Sequence, residues 1–338
     1  MRQKLIFSVV LFSLFSFVLN VQSVIKVGII GLDTSHSPAF IEMLNSAQPK
    51  AKYEGFRIVA AYPYGSRTIE SSYKRIPDYT EKAKKAGVEI VGSIAELLPK
   101  VDCIMLETND GCIHLEQAAE VIKAGKPLFI DKPIAATLAD AIAIFRLAER
   151  YNVPLFSSSS LRYSPITQEI ASGKYGKVLG ADCYSPHHRE PTHPDFGWYG
   201  IHGVETLYTL MGTGCQSVTR THSDVGDVVT GLWKDGRTGV FRALCTGAQD
   251  YGGTAFCEKK VVQAGPYMGY EVLLDKIIEF FRTKEVPIPS AETIEMFAFM
   301  EASNQSVKQQ GKPVLLEKVY AKGEKDAAKI LKKYIDNK

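Results

Sequence analysis

Residues 185–205 hold a dense group of side chains that can transfer protons or bind a cation. They are His187, His188, Arg189, Glu190, His193, Asp195 and His202. Histidine and carboxylate side chains are common general acids and bases, and they also ligate divalent cations. Their order matches no established zinc spacing, and Pro186, Pro191 and Pro194 mark the stretch as a loop. We therefore predict a substrate-binding loop and assign no metal site, although a metal remains an alternative.

A second polar group follows the apolar run 101–106. It consists of Glu107, Asn109, Asp110 and His114. When a run of this length forms a buried strand, the residues directly after it lie at the strand's carboxyl end, where ligands bind in open α/β sheets. The carboxylates at this position predict a polar ligand or a metal.

A third candidate site follows the first apolar run, 24–30, and has the order Gly31, Leu32, Asp33, Thr34, Ser35, His36. A strand, a glycine turn and a helix start bind phosphate through backbone N–H groups, and Thr34 and Ser35 add hydroxyl donors. In the dinucleotide pattern G-x-G-x-x-G only the first glycine, Gly31, is present. Asp33 adds negative charge and His36 adds bulk at the other two glycine positions. Both substitutions predict weaker phosphate binding.

The end of the next apolar run, 57–62, also bears on whether the chain binds a dinucleotide. Dinucleotide sites carry an acidic residue there that binds the adenosine ribose, and this chain has Pro63. Ser66 and Arg67 would suit a 2′-phosphate and thus NADP rather than NAD. A simple turn at residues 63–65 is the alternative interpretation.

Alternating strand and helix patterns organise the first half of the chain. The predicted strands are 24–30, 57–62, 88–91, 101–106, 127–130 and 153–156. The predicted helices are 37–44, 80–86, 94–98, 114–124 and 138–151. Ser37 is the expected N-cap of the first helix and Pro38 its first residue. Such alternation predicts a doubly wound parallel sheet with its ligand at the carboxyl ends of the strands.

After residue 156 the pattern changes to longer strands separated by turn signals. These strands are predicted at 180–184, 228–233, 239–246 and 259–263, with helices at 202–211, 271–281 and 326–335. We expect an α+β domain on a mostly antiparallel open sheet. The expected division is a signal peptide at 1–23, a first domain at 24–156, a second at 157–320 and a C-terminal helix at 321–338.

Three motifs and their order resemble the glucose-fructose oxidoreductase, inositol dehydrogenase and MocA family (Gfo/Idh/MocA). They are DKP at 131–133, LRYSP at 161–165 and GIHGVETLYTLMG at 200–212. The resemblance implies a Rossmann-type domain followed by an open-sheet domain that binds substrate. It also implies NAD or NADP as the cofactor. The implied activity is oxidation or reduction of a hydroxyl or ketone on a sugar or cyclitol.

The resemblance also implies roles for individual residues. Lys132 and His202 match the catalytic lysine and histidine, with Asp131 in place of the family's glutamate and Trp198 in place of its aspartate. The residues expected to contact substrate, from the motifs and the loop together, are Arg162, His187, His188, Trp198 and Glu205. The residues expected to contact the cofactor are Gly31, Asp33, Thr34, Ser35, His36, Asn109 and Lys132.

The overall charge and the first residues limit partners and location. Forty Lys and Arg against 37 Asp and Glu give a net charge of +3, too balanced for a nucleic-acid binding surface. Arg2 and Lys4 precede the uncharged run 5–21, and 21–23 offers a cleavage site. We predict a Sec-type signal peptide, export to the periplasm or beyond, and no stable membrane insertion after cleavage. A single N-terminal membrane anchor is the alternative.

These observations support three functional hypotheses. The first is NAD(P)-dependent oxidoreduction of a carbohydrate or cyclitol. The second is a cofactor-independent lyase or hydrolase that uses acid–base or metal-assisted chemistry, in a cleft formed by Asp33, His36, Glu107, Lys132, His187, His188 and His202. The third is a sugar-binding protein without catalysis.

By resemblance, the second-domain sheet is expected to form a homo-oligomer. The six cysteines show no CxxC spacing, and Cys103 is expected to be a buried free thiol.

Overall fold

The computed structural model describes residues 24–335, so the predicted signal peptide lies outside the described residues. The first domain contains six strands: β1 (Ile25–Ile30), β2 (Phe56–Tyr62), β3 (Glu89–Ile90), β4 (Cys103–Leu106), β5 (Leu128–Asp131) and β6 (Leu155–Ser158). All neighbouring strands are parallel, in the order β3-β2-β1-β4-β5-β6. The strand order reverses between β1 and β4, and a crevice opens at such a switch point. The doubly wound parallel sheet is confirmed.

Helices cover both faces of this sheet. They are α1 (His36–Asn45), α2 (Glu70–Tyr73), α3 (Ile76–Lys85), α4 (Ile94–Leu97), α5 (His114–Lys123) and α6 (Leu138–Arg150). One apolar core joins the sheet to α4, α5 and α6, and a second core joins its other face to α1. Cys103 is a buried free thiol in β4, as predicted.

Helix α1 starts earlier in the chain than predicted. The helix begins at His36 with Ser35 before it, and Ser37 is not the cap. The Ser37 hydroxyl instead donates to the Gly31 carbonyl oxygen at 2.8 Å. This bond ties the first helical turn to the loop that precedes it, and so defines the direction in which His36 points.

The second domain is built on a seven-stranded sheet. Its strands are β7 (Val178–Pro186), β8 (Cys215–Thr221), β9 (Gly226–Trp233), β10 (Thr238–Leu244), β11 (Gly252–Cys257), β12 (Val261–Ala264) and β13 (Val314–Leu315). The order is β12-β11-β7-β10-β9-β8-β13, and only the β7–β10 pair is parallel among these described strands. The predicted α+β domain with a mostly antiparallel sheet is confirmed.

Five helices accompany this sheet: α7 (Pro165–Ala171), α8 (Ile201–Met211), α9 (Glu271–Thr283), α10 (Ser290–Lys308) and α11 (Leu316–Ile335). Helices α8 and α10 pack on one face, where Tyr208 and Phe299 surround Trp233. The other face presents Leu232 and Phe256, which are 43% and 41% exposed.

The sequence prediction of the C-terminal part was incomplete, and it missed strands β8, β11 and β13 and helix α7 as well as the two features below. Helix α10 was missed because apolar residues lie all around it and leave no single apolar stripe to read. Helix α11 starts at Leu316 rather than at residue 326, and it returns to the first domain. There Gly323 lies directly against Leu138 of α6, and Arg146 contacts Glu324 at 3.1 Å. No helix within residues 24–335 is long and apolar enough to cross a bilayer.

Substitution of Gly31 by alanine should test the close approach of two loops. Gly31 has φ +90°, and a Cβ there would lie 2.5 Å from the backbone nitrogen of Thr108. Gly55 has φ +82° with nothing within 4 Å of a Cβ, so it is the matched control. Both variants should lose about 1–2 kcal/mol from the positive φ. Gly31→Ala should lose a further 1–3 kcal/mol, roughly, through the clash. Equal unfolding free energies in urea would contradict this close approach.

Candidate active site

A cavity of about 460 Å³ lies at the carboxyl ends of the first-domain strands, where the second domain closes over them. It contains eight of the predicted site residues: Thr34, Ser35, His36, Asn109, Lys132, His188, Trp198 and His202. It also contains Ser71, Arg75, Ser160, Leu161, Tyr199, Tyr251, Tyr267 and Tyr270. A larger cavity of about 760 Å³ beside α6 and α10 contains none of the predicted site residues. The smaller cavity is therefore the candidate active site.

Lys132 and His202 face this cavity from different domains. Lys132 follows the last residue of β5, and its side chain is 13% exposed. His202 lies in the first turn of α8, and its Nδ1 is 2.7 Å from the Ser159 hydroxyl oxygen. Because Ser159 engages Nδ1, Nε2 is the nitrogen available to a ligand. Burial holds the pKa of His202 well below its ordinary value, and the positive charge of Lys132 lowers it further. Both effects favour the neutral imidazole, which makes His202 a candidate proton acceptor.

A buried triad of His36, Glu107 and Asp131 lies beneath the same cavity. His36 Nδ1 is 3.1 Å from Asp131 Oδ1 and 3.7 Å from Glu107 Oε2. Lys132 Nζ lies 3.7 Å from Asp131 Oδ2. Burial raises the pKa of Glu107 well above its ordinary value, and the charge of Asp131 raises it further. Burial would also raise the pKa of Asp131, but the charges of His36 and Lys132 outweigh it and lower that pKa.

Asp33 is not in the cavity, contrary to its predicted role in cofactor contact. Its carboxylate turns under the loop, where it accepts the backbone N–H of Ser66 at 2.9 Å and that of Asn109 at 3.0 Å. Burial raises the pKa of Asp33 to about 6, while these two N–H donors act in the opposite direction. Asp33 therefore joins the loop after β1 to the loops after β2 and β4.

Further bonds close the space between the loops after β2 and β4. The Ser66 hydroxyl donates to Asp110 at 2.8 Å, and Asn109 Nδ2 donates to the Ser72 hydroxyl at 2.7 Å. Ser66, Ser72 and Asp110 are buried in these contacts. In dinucleotide-binding sheets the adenosine half lies beside the end of the second strand. Here two hydrogen bonds join these loops, and a separate cavity of about 340 Å³ lies beside the end of β2, lined by residues that include Tyr62, Tyr64 and Arg67.

The start of α1 is covered by the second domain. Tyr270 OH is 2.8 Å from the Ser35 hydroxyl oxygen, and the Tyr270 and His36 rings lie 4.2 Å apart between centroids. A bound pyrophosphate would use this helix N-terminus. Gly31 is buried behind it against Thr108 and does not line the cavity. Tyr270 and the bonds between the β2 and β4 loops therefore cover part of the surface that a dinucleotide would occupy.

Arg162 and Glu205, predicted to contact substrate, instead bind each other outside the cavity. Arg162 Nε donates to Glu205 at 2.8 Å, and its second terminal nitrogen donates to Glu292 at 2.6 Å. Glu205 also accepts the backbone N–H of Ser159 at 2.8 Å. The residue bound to His202 is thus held by this ion pair. Arg162 and Glu205 are positioning residues for His202.

Some residues of the histidine-rich loop at 185–205 line the cavity, and others only stabilise the loop. His187 Nε2 is 2.8 Å from Asp195, which also binds Arg220, so His187 stabilises the loop and does not line the cavity. His188 and Trp198 do line it. His114, after β4, contacts the carbonyl oxygens of Thr108 and Ile134 and is buried.

The cavity residues that sequence reasoning missed are mostly aromatic. Tyr199, Tyr251, Tyr267 and Tyr270 come from three loops of the second domain, and Arg75 comes from the segment after α2. The tyrosines at 251, 267 and 270 lie near glycines in a short stretch. This local concentration of tyrosine was the available signal, but it does not reveal which tyrosines meet Tyr199.

The ion pair of Arg162 should contribute strongly to stability. Arg146 is the matched control because it also contacts two glutamates, Glu149 and Glu324, but it is 51% exposed against 8% for Arg162. Arg162→Met should lower the free energy of unfolding by about 3–5 kcal/mol, since it leaves buried Glu205 unpaired. Arg146→Met should cost less than about 1 kcal/mol. Urea unfolding measures both, and similar losses would contradict the buried pairing.

NMR titration of His202 tests its electrostatic surroundings. In the wild-type protein its pKa should lie below the ordinary 6.5. Because the Lys132 charge disfavours the imidazolium, Lys132→Gln should raise the pKa of His202. Lys123→Gln, on an exposed helix end, should leave it unchanged. A wild-type pKa at or above 6.5, or no shift in Lys132→Gln, would contradict this description.

Comparison with known proteins places the first domain in a family. Residues 25–159 match the model described as "Oxidoreductase family, NAD-binding Rossmann fold" (GFO_IDH_MocA). A 1,5-anhydro-D-fructose reductase from Ensifer adhaerens is 28% identical over 165 residues, 43% of this chain and 47% of that protein. Inositol 2-dehydrogenase 3 from Saccharopolyspora erythraea is 26% identical over 138 residues, 37% of this chain and 38% of that protein. The matches thus span less than half the length of these relatives.

Solved structures share the fold of both domains. A probable dehydrogenase from Thermotoga maritima has a TM-score of 0.71 at 19% identity, covering 87% of this chain and 100% of that one. The scyllo-inositol dehydrogenase from Lactobacillus casei, solved with NAD(H) and scyllo-inositol, has a TM-score of 0.68 at 14% identity, covering 87% and 100%. By the match of residues 25–159, the first domain belongs to the Gfo/Idh/MocA family, and both domains share the fold of these solved structures.

Proposed function

We propose that the chain is an enzyme that moves protons on a small carbohydrate or cyclitol without a dinucleotide, in the manner of a lyase or hydrolase. One observation carries the proposal. The cavity presents His202 and Lys132 together, while Tyr270 covers the start of α1 and Asp33 joins the loops after β1, β2 and β4. Acid–base chemistry needs only the first two residues.

The walls of the cavity suit a polyhydroxylated ring. Trp198, Tyr199, Tyr251 and Tyr267 offer aromatic faces for the C–H side of a sugar ring, and the tyrosines add hydroxyl groups. Relatives named for inositol and 1,5-anhydro-D-fructose support this substrate class. Arg75 adds a cation at the exposed end of the cavity.

His202 and Lys132 have different proposed roles because their side chains differ in charge. In the tautomer whose Nδ1–H donates to the Ser159 hydroxyl oxygen, His202 Nε2 has a free lone pair and accepts a proton from the substrate. The Lys132 ammonium stabilises negative charge that develops on the neighbouring substrate oxygen. Arg162 and Glu205 act behind them by holding Ser159.

NAD(P)-dependent oxidoreduction is the second candidate. The family model and a structural neighbour with bound NAD(H) favour it. For this chain it requires the loops after β2 and β4 to separate and Tyr270 to leave Ser35. We derive no hydride step, because the residues in their present arrangement do not hold the dinucleotide.

Two measurements distinguish these candidates. Calorimetric titration with NAD and NADP should detect no binding at millimolar concentration, and mass spectrometry of the denatured protein should find no nucleotide. Incubation in deuterium oxide with sugars and cyclitols, including myo-inositol and 1,5-anhydro-D-fructose, should reveal deuterium incorporation or a product of changed mass. Lys132→Met and His202→Gln should each slow that reaction by about 10²–10⁴-fold. His222→Gln, a histidine outside the cavity, is the control.

Two results of these measurements would overturn the proposed function. Stoichiometric nucleotide, or micromolar affinity for either cofactor, would overturn the proposal in favour of oxidoreduction. Sugar binding without turnover, unaffected by both substitutions, would overturn it in favour of a sugar-binding protein.

Export and oligomerisation stay predictions. The charged and apolar pattern of residues 1–23 supports export, but those residues lie outside the described part of the chain. The exposed apolar residues Leu232, Phe256 and Val261 on the second-domain sheet support a homo-oligomer through that sheet.

A further inference from the structure

We propose that the buried triad of His36, Glu107 and Asp131 binds one divalent cation at the floor of the cavity. Each ligand comes from a different segment at the switch point. His36 begins α1, Glu107 directly follows β4, and Asp131 ends β5. His36 lines the cavity and the two carboxylates lie buried beneath it. The assignment concerns binding and does not depend on which reaction the cavity catalyses.

The distances within the triad suit a common ion. Ligand atoms of His36, Glu107 and Asp131 all lie within 4.8 Å of one another. Nitrogen and oxygen ligands lie about 2.0–2.2 Å from a zinc-sized ion, so two of them can be separated by at most about 4.4 Å. The 3.1 Å and 3.7 Å separations from His36 Nδ1 already fall inside this limit. Movements of a few tenths of an ångström would complete the site.

Unpartnered polar atoms provide the second observation. Both carboxylate oxygens of Glu107 and both of Asp131 are buried without a hydrogen-bond donor among the described residues, and so is His36 Nδ1. Lys132 approaches only Asp131, at 3.7 Å, which is too long for a hydrogen bond. Buried carboxylates are normally paired with donors or bound to metal, because isolation costs several kcal/mol. The carboxylate oxygens of the triad lack hydrogen-bonded donors, and His36 Nδ1, 3.1 Å from Asp131, becomes the third ligand when it gives up its proton.

Two other groups of potential ligands lack this property. In the group of Asp110, Cys112 and His193, Asp110 accepts from Ser66 and Cys112, and His193 accepts the backbone N–H of Gly111. In the group of His187, Asp227 and Cys245, protein partners likewise occupy His187 Nε2 and the Asp227 carboxylate. In both groups the carboxylates already have partners, although His187 Nδ1 is unpartnered.

The ligand set indicates the class of ion. Two carboxylates and one imidazole mix the oxygen preference of Mn²⁺ and Mg²⁺ with the nitrogen preference of Zn²⁺ and Fe²⁺. No thiolate is present to favour a soft ion. We therefore expect a first-row divalent cation such as Mn²⁺ or Zn²⁺, with its remaining positions taken by water or by a substrate oxygen from the cavity.

The test is metal binding by the full chain after removal of metals with a chelator. Titration with Mn²⁺, followed by electron paramagnetic resonance, and with Zn²⁺, followed by calorimetry, should each show one ion per chain with micromolar or tighter affinity. Saturating Mn²⁺ should also raise the melting temperature, because the ion binds only the folded site.

Matched variants locate the ion. Glu107→Gln keeps the shape of the side chain and should weaken the affinity at least about tenfold, the smallest loss seen when even supporting groups of metal sites are removed. Asp110→Asn, in the group with Cys112 and His193, should bind as the wild type does. Without metal, Glu107→Gln should melt no lower than the wild type, since it removes an unpaired buried carboxylate. Substoichiometric binding by the wild type, or equal affinity in Glu107→Gln, would overturn the proposal.

Discussion

The Asp33 carboxylate joins three loops of the first domain, and the form of the candidate site depends on that junction. It accepts backbone N–H groups from the loops after β2 and β4 while belonging to the loop after β1. In a parallel sheet these loops meet only at the carboxyl ends of the strands, where a nucleotide would otherwise separate them. A glycine at this position would leave both N–H groups free for a ligand. The aspartate converts an open crevice into a closed junction.

Charged groups determine the electrostatic properties of the candidate active-site cavity. The buried triad contributes two carboxylates and Lys132 one ammonium group. Burial and the Lys132 charge lower the pKa of His202, while the Asp131 charge acts in the opposite direction. A neutral base beside a fixed cation is suited to proton transfer. The carboxylates beneath it are oriented for a second ligand, which we assign as a metal ion.

The second domain completes the site from residues far apart in the chain. Tyr270 covers the start of α1, and Tyr251 lies against His202 at 5.5 Å between ring centroids. Glu205, which is paired with Arg162, accepts the backbone N–H of Ser159. Helix α11 then returns to α6 and ties the domains together. The cavity therefore exists only in the assembled pair of domains.

The amino-acid sequence alone indicated the alternation of strands and helices, the change of pattern between the two halves and the family of the first domain, because these depend on local periodicity and on contiguous motifs. It also brought Lys132, His202, His188 and Trp198 to attention. Tertiary structure decided which polar residues face the cavity. Asp33, Arg162 and Glu205 have the side chains of site residues, yet each is turned toward a partner distant in sequence, and His187 is turned toward Asp195 in its own loop. Side-chain direction at strand ends depends on those long-range partners, and a one-dimensional pattern does not contain them.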